Sequence, residues 1–139
     1  MNYPYQIQQD GDGYLVTFLD IPEAVSYGYT QIEATELAAD ALFQALSFYF
    51  DQARRIPMPS PTNAKPFVEL EVSTWIKVLL LNEMVAGGLS QAELARRMGK
   101  KCQEVTRIVN LKHTTKIDTL TAAFKVFNKQ LEFSIKPIS

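Results

Sequence analysis

Four of the seven prolines, Pro57, Pro59, Pro61 and Pro66, fall within ten residues of a 139-residue chain. Proline lacks the backbone donor and fixes φ, so such a run can neither continue a helix nor sit inside a sheet. It favours an extended connector and separates the residues before it from those after it. The expected organisation is a domain over residues 1–56, a linker over 57–66 and a second domain over 67–139.

The net charge of −1 hides an asymmetry between the parts. Met1 to Thr74 carries ten acids against three bases, net −7, whereas Trp75 onward carries eleven bases against five acids, net +6. A basic half of this kind suits a polyanion partner. Cys102 is the only cysteine and His113 the only histidine, so no intrachain disulfide, structural zinc site or cofactor is expected. Met1-Asn2-Tyr3-Pro4 begins without a basic region or apolar run, and no stretch approaches the roughly 18 to 20 apolar residues of a membrane span. The expectation is a soluble, cytoplasmic protein with no membrane association.

The fold class expected is α+β. Tyr5 to Gln9 and Tyr14 to Phe18 are β-favouring runs around the polar turn Asp10-Gly11-Asp12-Gly13, which suits a hairpin. Pro22 interrupts the pattern, and Val25 to Tyr29 offers a third strand. Thr30 and Glu33 have capping-box spacing, placing a helix start near Gln31. Ile32, Leu37, Ala38, Ala41, Leu42, Ala45, Leu46, Tyr49 and Phe50 then form an apolar stripe that ends near Ala53 or Arg54 and can cover a small antiparallel sheet. The aromatics Phe43, Phe48, Tyr49 and Phe50 fit core or interface better than a ligand pocket.

Phe67 to Val72 and Leu131 to Ile135 alternate apolar with polar residues and read as half-buried strands flanking a helical region. Four helices are expected between them. The first, Thr74 to Val85, packs Trp75, Val78, Leu79 and Leu81 or Asn82 and stops at Gly87-Gly88. Ser90, with Glu93 three residues on, caps a second over Gln91 to Met98 that turns Leu94, Ala95 and Met98 inward. Gly99 permits a sharp turn into a third, Lys101 to Leu111, burying Val105, Ile108 and Val109 or Leu111. A fourth begins at Ile117.

This arrangement leaves Cys102, Gln103, Thr106, Arg107 and Asn110 outward on a short helix braced by another, as major-groove reading requires. Gln103 suits adenine, Arg107 guanine or phosphate, and the Thr106 methyl thymine. Gln91, at the start of the bracing helix, and Lys100, Lys101, Lys112, Thr115 and Lys116 suit phosphate contacts that set register. The run Leu89 to Gly99, with Val105-Thr106-Arg107-Ile108 and Ile117-Asp118-Thr119-Leu120, resembles the repressor-type helix-turn-helix family. Lys100-Lys101-Cys102 departs from it where a small apolar residue and a serine or threonine cap are usual, so the start of the third helix is open by a residue or two. Such repressors bind duplex operators as dimers. The apolar edge Leu131, Phe133 and Ile135 is the expected means of pairing in a homodimer or higher homo-oligomer.

The order hairpin, strand, capped helix, proline linker and Val68-Glu69-Leu70-Glu71-Val72 resembles the HicB antitoxin family along essentially the whole chain. Its most specific part is Phe18-Leu19-Asp20-Ile21-Pro22 combined with Lys116-Ile117-Asp118-Thr119-Leu120. The resemblance implies a partial ribonuclease-H-like first domain that blocks a small HicA-type mRNA ribonuclease, and a second that represses the shared operon, with no catalytic residue of its own. An acidic surface fits a basic toxin, which makes Asp10, Asp12, Asp20 and Glu23 candidate contacts. Two alternatives remain open at this point: a nuclease using Asp10, Asp12 and Asp20 with metal ions, and a ligand-sensing repressor without a protein partner.

Overall fold

In the computed structural model, which describes residues 1–138, the first half is a four-stranded antiparallel sheet covered by one helix. β1 (Asn2–Asp10) and β2 (Gly13–Phe18) form the expected hairpin, with Asp10 paired to Gly13. The two turn residues are Gly11, at φ 60°, and Asp12. Positive φ at the first turn position suits glycine and matches the twist of the flanking strands. β3 (Val25–Gly28) adds to β2, and β4 (Phe67–Glu69) adds to β1, giving the order β3-β2-β1-β4.

β4 differs from expectation in length and place. It spans three residues and completes the first sheet instead of flanking the second half. The outer edge of β1 needs partners, and the returning chain supplies them: Tyr5 N–H donates to the Pro66 carbonyl (2.9 Å) and Leu70 N–H to the Met1 carbonyl (3.0 Å).

α1 (Gln31–Asp51) starts where Thr30 Oγ1 accepts from the Glu33 N–H at 3.1 Å. Its buried stripe is Ala34, Ala38, Leu42, Ala45, Leu46, Tyr49 and Phe50. Ile32 and Leu37 point outward, because a four-residue step through Ala34 puts both off that face. The stripe meets Tyr3, Tyr5, Val16 and Phe18 of the sheet, all buried. Small residues let β3 approach closely: Ser26 Oγ donates to the Ala34 carbonyl (2.9 Å), and a Cβ on Gly28 would lie 2.5 Å from Ala34 N.

The proline segment has no regular structure, yet side chains from both halves hold it. Tyr3 OH donates to the Pro57 carbonyl at 2.7 Å. The Asp20 carboxylate accepts from Ser60 N–H (2.9 Å) and Ser60 Oγ (2.6 Å). Ile56 is fully buried, and the Asn82 amide pairs with both of its backbone groups, at 2.7 and 2.9 Å.

The second half contains α2 (Val72–Gly87), α3 (Gln91–Met98), α4 (Cys102–Ile108) and α5 (Ile117–Lys125). α2 buries Ile76, Lys77, Val78, Leu80, Leu81 and Met84, leaving Trp75 and Leu79 half-buried, so its inner face is turned by about one residue from that expected. α4 stops at Ile108, three residues early, with Val109 as its cap. The expected strand at Leu131 to Ile135 is not formed: those residues lack regular structure, Leu131 is half-buried, and Phe133 and Ile135 are exposed. Alternation marks a face, but a ladder also needs a neighbouring strand, and the single chain offers none there.

Candidate nucleic-acid interface

The Ser90 hydroxyl caps α3 by accepting from the Glu93 N–H at 3.1 Å. The reciprocal half of the capping box is missing, because the Glu93 carboxylate is engaged by Arg96 and Arg97. Hydrogen bonds from Arg96 and then Arg97 pull its pKa down to about 2. Gly99, at φ 67°, ends α3 and turns the chain through Lys100 and Lys101 into α4. Leu94 and Ala95 of α3 meet Val105 and Ile108 of α4, all buried. The small Ala95 side chain lets the helices cross closely. Lys101 gives α4 no side-chain cap, as the departure at Lys100-Lys101-Cys102 foreshadows.

Cys102, Gln103, Thr106, Arg107 and Asn110 are all exposed, as are Gln91, Lys100, Lys101, Lys112 and Lys116, whereas Thr115 is half-buried. Several of them line two clefts on either flank of α4. A cleft of about 310 Å³ beside α4 gathers Lys100, Arg107, Thr115 and Lys116, with Glu104 among them; Lys100 is paired to Glu104 at 3.6 Å. On the other flank a cleft of about 420 Å³ joins Gln91, Thr106, Asn110 and Lys112 to Ser47, Phe50 and Asp51 of α1. Thr106 Oγ1 lies 3.3 Å from Gln91 Oε1, and Asn110 Oδ1 accepts from the Lys112 N–H at 2.9 Å. The Asn110 side chain is thus partly committed to its own turn. Among the described residues, the exposed side chains of Gln103 and Arg107 make no such hydrogen bond.

Sequence reasoning missed Lys77. It lies on α2 with 2% of its surface exposed. Its ammonium donates to three backbone carbonyls, of Arg107 (3.3 Å), Asn110 (2.8 Å) and His113 (2.6 Å). Burial pulls its pKa down to about 8. The available signal was a lone lysine inside the apolar run Trp75 to Leu81.

The four candidate acids separate into two pairs. Asp10, at the end of β1, and Asp12, in the hairpin turn, are exposed, while Asp20 and Glu23 come after β2 at the opposite end. At about 3.3 Å per residue along β2, the pairs are roughly 20 Å apart. Asp20 is occupied by Ser60. Glu23 accepts from Tyr49 OH (2.7 Å) and Arg54 (3.1 Å); the Tyr49 bond leads in holding its carboxyl below the usual range. Among the described residues no three His, Cys, Asp or Glu side chains converge as a metal site, and no single helix is long and apolar enough to cross a membrane.

Two short helices crossing through small and branched apolar residues, with the polar side of the second turned outward among lysines, define a helix-turn-helix DNA-binding domain, here joined to a small α+β domain. Residues 80–134 match the helix-turn-helix family, and residues 2–79 match the HicB_like antitoxin of bacterial toxin-antitoxin systems. The chain is 47% identical over 133 residues to Antitoxin HicB of Escherichia coli K12, covering 94% of this chain and 96% of that protein. It is 48% identical over 132 residues to Antitoxin HicB 2 of Photorhabdus laumondii, covering 95% and 94%. To Antitoxin HicB of Pseudomonas fluorescens it is 31% identical over 136 residues, covering 96% and 93%. The chain belongs to the HicB-like antitoxin family.

Proposed function

We propose that this antitoxin neutralises a small HicA-type mRNA ribonuclease with its α+β part and represses its own operon, in the cytoplasm, with its helix-turn-helix. The observation that carries the reading is the exposed side of α4, where Gln103 and Arg107 stand clear while Val105 and Ile108 anchor the helix from behind. The α+β part is residues 1–56 completed by β4, and residues 57–66 join it to the helical part. Asp10 and Asp12 are the acids free to meet a basic toxin, whereas Asp20 and Glu23 act within the fold. The separation of Asp10 and Asp12 from Asp20 argues against a carboxylate nuclease centre, which needs its acids clustered.

A seven-residue reading helix offers too few base contacts for one copy to suffice. The operative form is a homodimer, with Leu131, Phe133 and Ile135 pairing between copies. The test is a gel-shift titration with duplex DNA from immediately upstream of the gene. Replacing Gln103 and Arg107 together by alanine should lower affinity at least tenfold, because each bidentate base contact is worth about 1–3 kcal/mol. Unchanged affinity removes these residues as readers. Mixing the full chain with the small basic protein of the neighbouring gene should give a complex that no longer cleaves RNA; no complex defeats the toxin half of the reading.

A further inference from the structure

α4 has little to hold it in place on its own. It is seven residues long and has no side-chain cap at its start, and two turns of helix do not persist without tertiary support. Val105, Ile108 and Val109 fix how deeply it sits. Beyond Val109 the chain toward His113 is held along itself by local bonds, Asn110 N–H to the Arg107 carbonyl (3.2 Å), Lys112 N–H to Asn110 Oδ1 (2.9 Å) and His113 N–H to the Asn110 carbonyl (3.1 Å), and these shape the turn without tying it to the rest of the fold.

The same three carbonyls, of Arg107, Asn110 and His113, converge on Lys77 Nζ. One carbonyl belongs to the last turn of α4 and the other two to the connection toward α5. An ammonium has three donors and no acceptor, so it can serve all three at once. It also places a positive charge at a helix C-terminus, where the backbone dipole favours it. With 2% of its surface exposed, Lys77 is too deeply buried to meet a phosphate. Its reach is through the backbone that carries Arg107, Asn110 and Lys112.

We propose that Lys77 is a positioning residue for DNA reading: from its buried place on α2 it fixes the end of α4 and the turn to α5, and so sets how Arg107 and Asn110 are presented to the major groove. This rests on the reading of α4 as the recognition helix. A positioning residue affects recognition of sequence without changing the number of phosphates neutralised, whereas a direct phosphate contact lowers the salt slope by about one. The two roles are therefore separable in one titration series.

The experiment measures affinity for duplex DNA from upstream of the gene and for a scrambled duplex of equal composition, each across a salt series, well below the unfolding temperature. The proteins are wild type, Lys77→Met, Lys77→Arg and the Gln103→Ala/Arg107→Ala pair. Lys77→Met keeps the length of the side chain and removes its donors; Lys77→Arg keeps the charge but cannot bring one nitrogen to three carbonyls. For both Lys77 variants the expected result is at least a tenfold loss on the upstream duplex, less than a twofold change on the scrambled one and an unaltered salt slope.

Equal losses on both duplexes with a shallower slope, or full retention of upstream affinity by either variant, overturns the proposal. If Lys77→Met does not fold, Lys77→Arg alone decides. Failure of the Gln103→Ala/Arg107→Ala pair to weaken upstream binding refutes the recognition-helix reading itself, while loss in that pair with retention in the Lys77 variants refutes only the role of Lys77.

Discussion

Stability should rise, not fall, as the solution is made alkaline through the range in which Lys77 titrates. Burial leaves the folded ammonium with a pKa of about 8, against 10.5 for an unperturbed lysine. Between those values the unfolded chain binds a proton that the folded chain has released, so raising the pH favours folding. The full difference corresponds to about 3 kcal/mol. Below pH 8 both states are protonated and the cost of the buried charge is borne in full. Tyrosines act in the opposite sense: burial raises the pKa of Tyr3 and Tyr49, so the stability they hold below about pH 10 is lost above it. Urea unfolding of wild type and Lys77→Met in parallel removes those contributions by subtraction. Wild type should gain on the variant by about 2–3 kcal/mol between pH 8 and pH 10. Whatever fixed offset the lost hydrogen bonds create, the shape of the difference is set by linkage alone. Parallel curves, or a wild type that loses ground, would show that the lysine is not buried as a charge.

Gly28→Ala should destabilise the chain by roughly 3 kcal/mol or more, since the added methyl would lie 2.5 Å from Ala34 N and meets backbone that cannot swing aside; thermal unfolding checks it. Asp20→Ala should cost about 1–3 kcal/mol by releasing Ser60 yet leave toxin affinity unchanged, whereas Asp12→Asn should weaken toxin binding without loss of stability; calorimetric titration of both against the toxin decides which acids face the partner. Asn82→Ala should cost about 2–4 kcal/mol, because it leaves the N–H and C=O of buried Ile56 without partners; denaturant unfolding measures it.

Much of the fold was legible because local physics is strong where the pattern is dense. Asp10-Gly11-Asp12-Gly13 permits a tight turn, Thr30 and Ser90 cap helices with the expected hydroxyls, and the 94–95 and 105–108 pairs pack as their spacing requires. What failed was non-local. Val68 and Leu70 alternate correctly, but nothing in that alternation says that their strand returns to the free edge of β1. Leu131 to Ile135 alternate equally well and form no strand within one copy, since the ladder needs a neighbour. Acidity marked Asp20 and Glu23 as candidate contacts but could not show their partners within the fold, Ser60, Tyr49 and Arg54, which lie 26 to 40 residues away. Local spacing carries no information about such partners.

Two irregular stretches, the exit of α1 just before the proline run and the turn after α4, leave backbone groups that regular structure would have satisfied, and in each case a polar residue of α2 takes them up. Asn82 holds Ile56, and Lys77 holds Arg107, Asn110 and His113. Five residues apart, the two side chains lie roughly 140° apart around the helix, one toward the exit of the α+β part and the other toward the exit of the reading helix. If α2 is a rigid strut, Asn82→Ala and Lys77→Met should act independently, with stability losses that add to within about 0.5 kcal/mol. Coupling above about 1 kcal/mol in that double-mutant cycle would mean that releasing one end of α2 shifts the other. The helix would then carry a change in the toxin-facing part to the recognition helix, and the Asn82→Ala variant alone should alter affinity for the upstream duplex. Additive losses with unchanged DNA affinity in Asn82→Ala would instead show that any influence of toxin on repression travels by another route.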